Sequence, residues 1–316
     1  MANTNKLFEE FQKEISLSSG KKTKMTNSKN ALRERIRKYF KENHPGYIPK
    51  FYIQGSYKMG SAIRTKDDIC DLDDGIYFFR QPDVTATTLQ GWVWDAVYGY
   101  TSTDPEHRKK CIRKVFAGDY EIDYPIYYKI DDQEYMIAVK DTGWEDSDPK
   151  AVVKWFNQQR DSDGMLIKIV KNLKAWCDYK RNKMPSGLAM TILASNAKAK
   201  IALNVRQDIT LSDILKEIKK ALKYNFTCIV PAIPNDDLFD GYTATRRENF
   251  LSNLDCFIED AEAALKEPNE LKSSKLWRKH LGDRFPLGED KSETSSTNAA
   301  LIAGAATSKP WTDGKS

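Results

Sequence analysis

The chain has 316 residues, 40% of them apolar and 30% charged, enough for two ordinary domains, each with its own core. Net charge is +5, and residues 1–60 hold 13 Lys and Arg against 5 Asp and Glu. That local surplus suits nucleic acid or nucleotide phosphates, and it equally suits a solvated helix face, so nucleic-acid binding stays open. No run approaches the roughly 20 apolar residues that span a bilayer, and no apolar leader follows the first basic residues, so we expect no membrane contact and no secretory signal.

Residues 4–16 place Leu7, Phe8, Phe11 and Ile15 at helical spacing. A polar, basic connection with Gly20 follows, and a second helix is expected from about Ser28 to Asn43, ended by His44-Pro45-Gly46. Residues 50–54 and 70–79 read as strands, joined through the Gly55-Ser56 turn and a loop at Lys66-Asp67-Asp68. The segment Leu89–Tyr100 reads as a mostly buried helix. Three strand-like runs come next, Cys111–Phe116, Tyr120–Ile130 and Gln133–Lys140, with Pro125 placing the middle one near an edge or making it irregular.

The composition shifts at Asp141–Pro149, where Asp148 is a helix cap and Pro149 a first helical residue, and a domain boundary is expected near Ser147. Helical patterns then cover Ala151–Gln159, Gly164–Lys180, Leu188–Ala197, Asp208–Tyr224 and Ala244–Lys266. In the second of these, Ile167, Val170, Leu173 and Trp176/Cys177 form the expected buried stripe, with Lys171, Lys174 and Asp178 on a neighbouring face. Folded sequence is expected to end by about residue 286, and a tail from Glu289 is too poor in apolar residues to fold alone. The five cysteines are scattered without a C-x-x-C pair and the three histidines lie far apart. A reducing, cytoplasmic setting without a zinc site is therefore expected.

The stretch Gln54–Tyr77 carries the chemistry. Asp71 and Asp73 alternate with Leu72 on one strand, so both face the same way. Paired carboxylates repel unless a cation sits between them, and a hard divalent ion such as Mg²⁺ takes oxygen ligands. The Gly55-Ser56 turn offers backbone N–H groups and a hydroxyl for phosphate. A third carboxylate is available from Glu121 or Asp123, which spacing alone does not separate. Lys174 and Ser186 taken singly read as a surface lysine and a helix cap.

Together these residues resemble a known layout. Gly55-Ser56, Asp71-x-Asp73 and Asp123 on a later strand, followed by a helical domain, are similar to the DNA polymerase β-like nucleotidyltransferase superfamily. QGSYKMGSAIR, DLDDGIYF, EIDYPIY, NLKAW, Pro-Ser-Gly-Leu and HLGDRFP resemble the bacterial cGAS/DncV-like nucleotidyltransferases (CD-NTases) over about residues 30–286. The expected fold is α+β and bilobed: N-terminal helices and a mixed-sheet catalytic core over 1–146, an oligoadenylate-synthetase-like helical domain over 147–288, and a disordered tail over 289–316.

The resemblance further implies that Asp71, Asp73 and Asp123 hold two Mg²⁺ ions, with Mn²⁺ a substitute, and it favours Asp123 over Glu121 because the family's third carboxylate stands two residues before a proline. One ion would activate a ribose hydroxyl and the other would neutralise departing pyrophosphate. Gln54, Gly55, Ser56, Lys174 and Ser186 would contact the donor nucleotide. The implied substrates are ATP and GTP, and the implied product is a cyclic purine dinucleotide such as cyclic GMP-AMP that switches on an effector in CBASS antiphage defence. Conjugation of the tail to a target, or a regulatory partner, is compatible with the C-terminus. Two other readings stand beside this one: another template-independent nucleotidyltransferase (2′–5′ oligoadenylate synthase, RNA-tailing enzyme or small-molecule adenylyltransferase), and an inactive nucleotide- or nucleic-acid-binding scaffold.

Overall fold

In the computed structural model, which describes residues 2–290, two helices precede the first strand: α1 (Asn5–Ile15) and α2 (Ser19–Asn43). Helix α2 begins nine residues earlier than its periodicity suggests. Ser18 caps it by accepting from Lys21 N at 3.2 Å, and Met25 is fully buried with its sulfur 3.5 Å from that of Cys70. One apolar anchor and a good cap outweigh the polar composition of this first stretch.

The sheet follows as β1 (Lys50–Gln54), the one-turn helix α3 (Gly55–Lys58), β2 (Cys70–Phe78), helix α4 (Ala86–Val97), β3 (Glu106–His107), β4 (Ile112–Phe116), β5 (Tyr120–Tyr124), β6 (Ile126–Tyr128), β7 (Met136–Val139) and β8 (Gly143–Asp146). Strand β2 is its axis. β1 runs antiparallel along one side, and β5 and β6 run parallel along the other in one continuous register, Cys70 opposite Tyr120 and Ile76 opposite Ile126. Pro125 is therefore not at an edge. It marks where the outer side of this strand passes from β4, which pairs with β5, to β7, which pairs with β6. The proline lacks an N–H, and its carbonyl still accepts from Ile76 N at 2.9 Å. The short strands β3 and β8 are additions to what periodicity predicts.

Alternation along β2 sorts the two faces. Leu72, Ile76 and Phe78 enter a core with Ile122 and Tyr124, roofed by Leu32, Ile36 and Phe40 of α2 and Leu89 and Val93 of α4. Asp74 lies on this covered face, fully buried, and is neutralised by Arg33 of α2, whose Nε donates at 2.8 Å. The opposite face presents Asp71 and Asp73 at one end and Tyr77 with Tyr127 at the other.

The rest of the chain is helical: α5 (Pro149–Gln159), α6 (Met165–Lys180), α7 (Gly187–Lys198), α8 (Gln207–Tyr224), α9 (Ala244–Lys266) and α10 (Glu270–Leu281). As expected, Asp148 caps α5 by accepting from Ala151 N at 3.0 Å, with Pro149 in the first turn. The buried side of α6 is broader than the predicted stripe: Leu166 and Ile169 join Val170, Leu173 and Trp176, while Ile167 and Cys177 are only partly covered.

The cores group the N-terminus differently from a 1–146 unit. Helix α1 belongs to the helical lobe, with Phe8 edge-on to Trp277 (5.0 Å between centroids) and to Phe285 (4.9 Å). Glu289 and Asp290 rest against α10, through Leu271 N to the Glu289 carbonyl at 3.2 Å and Asn269 Nδ2 to Asp290 at 2.7 Å. The rest of the predicted tail lies outside the described residues. Among the described residues no helix is long and apolar enough to cross a membrane. Much of the basic surplus on α2 is spent locally: Lys21 meets Asp68 and Asp119, Lys24 meets Asp119, and Arg37 meets Glu34.

Candidate active site

A cleft of about 710 Å³ lies between the sheet and the helical lobe, lined by Gln54, Gly55, Ser56, Asp71, Asp73, Asp123 and Lys174. The register builds its floor. In the parallel β2–β5 pair Asp71 stands opposite Glu121 and Asp73 opposite Asp123, so four carboxylates share one face of two neighbouring strands. Asp71 keeps about half of its side chain exposed, whereas Asp123 and Glu121 are largely covered.

Crowding like charges has its expected effect. Burial, then the Asp123 and Asp71 charges, push the Asp73 carboxyl up to about 7. Asp71 is also raised, by loss of solvent first and by Asp123 next, with Arg113 opposing. Oxygen donors of this kind on one surface fit a hard divalent cation. They do not converge as they stand: among the described residues no three His, Cys, Asp or Glu side chains are grouped to hold an ion. Arg113, which sequence reading missed, engages three of these carboxylates. Its Nε and Nη2 donate to the two oxygens of Asp123, each at 2.7 Å, its Nη1 donates to Glu121, and Nη2 stands 3.8 Å from Asp71. Its position directly opposite Asp123 in the β4–β5 ladder is visible only once that antiparallel pairing is known.

The turn after β1 is shaped around Asp73. Gly55 has φ +59°, and a Cβ there would sit 2.8 Å from Asp73 Cγ and closer still to its Oδ2. Only glycine lets the backbone pass so near the carboxylate. Ser56 follows on α3 and lines the cleft, its carbonyl accepting from Ser61 N at 3.0 Å. Gln54 lines the cleft and is held by two tyrosines. Its buried amide donates to Tyr127 Oη at 2.9 Å and accepts from Tyr77 Oη at 2.8 Å, with the two rings stacked 4.6 Å apart. These bonds fix the glutamine at the end of β1, just before the turn.

From the helical lobe, Lys174 crosses to the sheet side. Its Nζ donates to Ser61 O at 3.2 Å and Ser61 Oγ at 3.1 Å, and Gly187 lies against its stem, where a Cβ would be 3.2 Å from Lys174 Cε. Burial holds this amine down to about 8, opposed by the Asp73 charge. Lys171 turns away to Ser16 (3.1 Å), and Asp178 serves the lobe contact, accepting from Lys66 N at 2.6 Å and Arg284 Nη2 at 3.2 Å. Ser186 is an N-cap, its Oγ accepting from Ala189 N at 3.2 Å, and it stands outside the cleft lining between Pro185 and Gly187, which belong to it.

A mixed sheet with two aspartates on its axial strand, a third on the adjacent strand, a glycine-serine turn beside them and a helical lobe opposite is the nucleotidyltransferase arrangement. Residues 49–127 match the family described as cyclic GMP-AMP synthase DncV-like, nucleotidyltransferase domain. A cyclic GMP-AMP synthase of Escherichia albertii is 32% identical over 216 residues, covering 61% of this chain and 47% of that protein. The chain thus spans about half the length of the curated relative it matches. Among solved structures, Vibrio cholerae DncV with nonhydrolysable GTP superposes with a TM-score of 0.79 at 19% identity, covering 90% of this chain and 97% of that one. Escherichia coli DncV in its 3′-deoxy GTP form gives 0.76 at 17% identity over 86% and 93%. Residues 49–127 thus match a DncV-like nucleotidyltransferase domain, and the chain as a whole shares the DncV fold.

Proposed function

We propose that this protein joins purine nucleoside triphosphates, ATP and GTP, into a cyclic dinucleotide, in a divalent-metal-dependent reaction. The observation that carries this reading is the β2–β5 register, which sets Asp73 opposite Asp123 and Asp71 opposite Glu121 directly below the Gly55-Ser56 turn. The names of the relatives point the same way. The E. albertii relative is a cyclic GMP-AMP synthase, and V. cholerae DncV has been crystallised with the linear intermediate 5′ pppA(3′,5′)pG.

In this reaction a ribose hydroxyl attacks an α-phosphate, forming a phosphodiester and releasing pyrophosphate. Asp71, Asp73 and Asp123 would hold Mg²⁺, which when bound supplies positive charge at the attacking and leaving oxygens. Ser56 offers a hydroxyl to the donor phosphates. Lys174, once charged, meets the triphosphate from the other lobe and so fixes the lobes about the substrate. Gln54, held by Tyr77 and Tyr127, keeps the turn in place. The product would act on a downstream effector in CBASS antiphage defence.

Incubation with labelled ATP, GTP and Mg²⁺ followed by phosphatase tests the reading. A small, phosphatase-resistant product made without RNA, and absent from Asp71→Ala/Asp73→Ala protein, is expected. Label carried into RNA or a small acceptor instead would reject cyclisation, and product from the double variant would reject the site.

A further inference from the structure

Arg113 is not explained by folding alone. The β4–β5 ladder fixes its backbone opposite that of Asp123, so the two side chains stay within reach of each other. Its guanidinium engages both Asp123 oxygens in a two-pronged contact and reaches Glu121 with the remaining nitrogen, while only 13% of its side chain is exposed. A carboxylate held this way presents its in-plane lone pairs to the arginine rather than to the cleft. A divalent cation needs those lone pairs and meets a fixed positive charge beside them.

Resting on the reading of Asp71, Asp73 and Asp123 as metal ligands, we propose that Arg113 is a built-in competitor for the metal. It is a positioning residue that occupies Asp123 in the metal-free protein and yields it when an ion loads. Glu121 is the residue that makes the exchange reversible. It sits two residues from Asp123 on the same strand face and keeps a hold on the guanidinium, so Arg113 retains a partner when Asp123 is given up. An arginine with one carboxylate partner would be stranded by metal loading. With two, it has a second place to rest. Loading then depends on an ion strong enough, or accompanied by enough negative charge, to displace a bidentate contact, which ties occupancy of the site to arrival of a nucleotide triphosphate.

The test is Mn²⁺ binding to the full chain without nucleotide, followed by electron paramagnetic resonance. Arg113→Gln is expected to tighten binding tenfold or more. Arg113→Lys, which keeps the charge and loses the two-pronged contact, should tighten it severalfold. Unchanged or weaker binding in both variants overturns the proposal. On wild-type protein labelled with ¹⁵N-arginine, Mg²⁺ with a nonhydrolysable ATP should shift the Arg113 Nε–H signal, identified by its loss in Arg113→Lys. A signal that stays in place would overturn the proposal even if the glutamine variant failed to fold. Wild-type protein that binds no Mn²⁺ even with nonhydrolysable ATP present, together with Arg113→Gln protein that binds none without it, would remove the metal-site reading and this proposal together. Mn²⁺ binding that depends on Asp71 and Asp73 and ignores Arg113 would remove only the proposal.

Discussion

Gly55→Ala is the sharpest probe of how the backbone serves the site. The residue has φ +59°, so any side chain adds left-handed strain of about 1–2 kcal/mol. Gly99 supplies the control, since it has φ +68° and open space where its Cβ would be. At Gly55 the new methyl would lie 2.0 Å from Asp73 Oδ2 and 2.8 Å from Asp73 Cγ, so the carboxyl has to swing that oxygen aside and retreat by about 0.7 Å at its carbon to reach an ordinary contact of ~3.5 Å. Misplacing a reacting group by about 1 Å costs on the order of 100-fold, which puts Gly55→Ala between about tenfold and 100-fold down in turnover. That corresponds to about 1.4–2.7 kcal/mol in the barrier. Both variants should melt earlier than wild type in thermal denaturation, Gly55→Ala by the larger amount. Only Gly55→Ala should lose nucleotide turnover in a pyrophosphate-release assay. Equal turnover in the two variants would refute the claim that this glycine exists to let Asp73 close in.

Two further outcomes follow from the charges. The folded protein holds a proton on Asp73 up to about pH 7, whereas the unfolded chain releases it near 3.8, so this group's contribution to metal-free stability falls as pH rises through that window. Asp73→Asn should therefore be more stable than wild type at pH 7.5 by at least about 1 kcal/mol, with the gap closing towards pH 4, while turnover is lost. Denaturant melts at the two pH values check this, and a gap independent of pH would contradict it. For Lys174 the sign is opposite, because burial holds its amine down to about 8 and a bound triphosphate restores the charge. Binding of nonhydrolysable ATP at pH 8.5 should take up most of a proton, measured by calorimetry in two buffers of different ionisation enthalpy. Lys174→Met should take up none, and uptake that survives in it would place the proton elsewhere.

Sequence reading reached this site because its strongest signals are local. The alternation Asp71-Leu72-Asp73, the Gly55-Ser56 turn, and the Asp148-Pro149 helix start each depend on residues a few positions apart. What escaped it depends on pairing across the chain. Arg113 gains its role only when β4 folds back on β5, and Asp74 becomes a buried counter-ion only when Arg33 of α2 is laid over it. Gln54 was legible as a residue beside the turn, but its two tyrosine partners come from β2 and β6. The early start of α2 and the docking of α1 onto the helical lobe were hidden for a related reason. Their anchors, Met25 against Cys70 and Phe8 against Trp277 and Phe285, are contacts with distant segments, which local composition does not register.

The two faces of β2 show why such a site can be kept in a stable fold. On the covered face the sheet buries Leu72, Ile76 and Phe78, and it admits a single carboxylate, Asp74, only with its own arginine. On the open face Asp71, Glu121 and Asp123 share Arg113 between them, and Asp73 feels Lys174 and Arg113 at longer range. The first arrangement satisfies its charge within the protein, as buried ions must. The second leaves negative charge in excess, and this unmet demand is what a cation-bound nucleotide can answer. Moving the Asp74 pattern to the open face, by placing a second cation beside Asp73, would make the sheet more self-sufficient and the cleft poorer at its work. The destabilisation of Asp73 is thus a property the fold tolerates on one face because the other face carries the core.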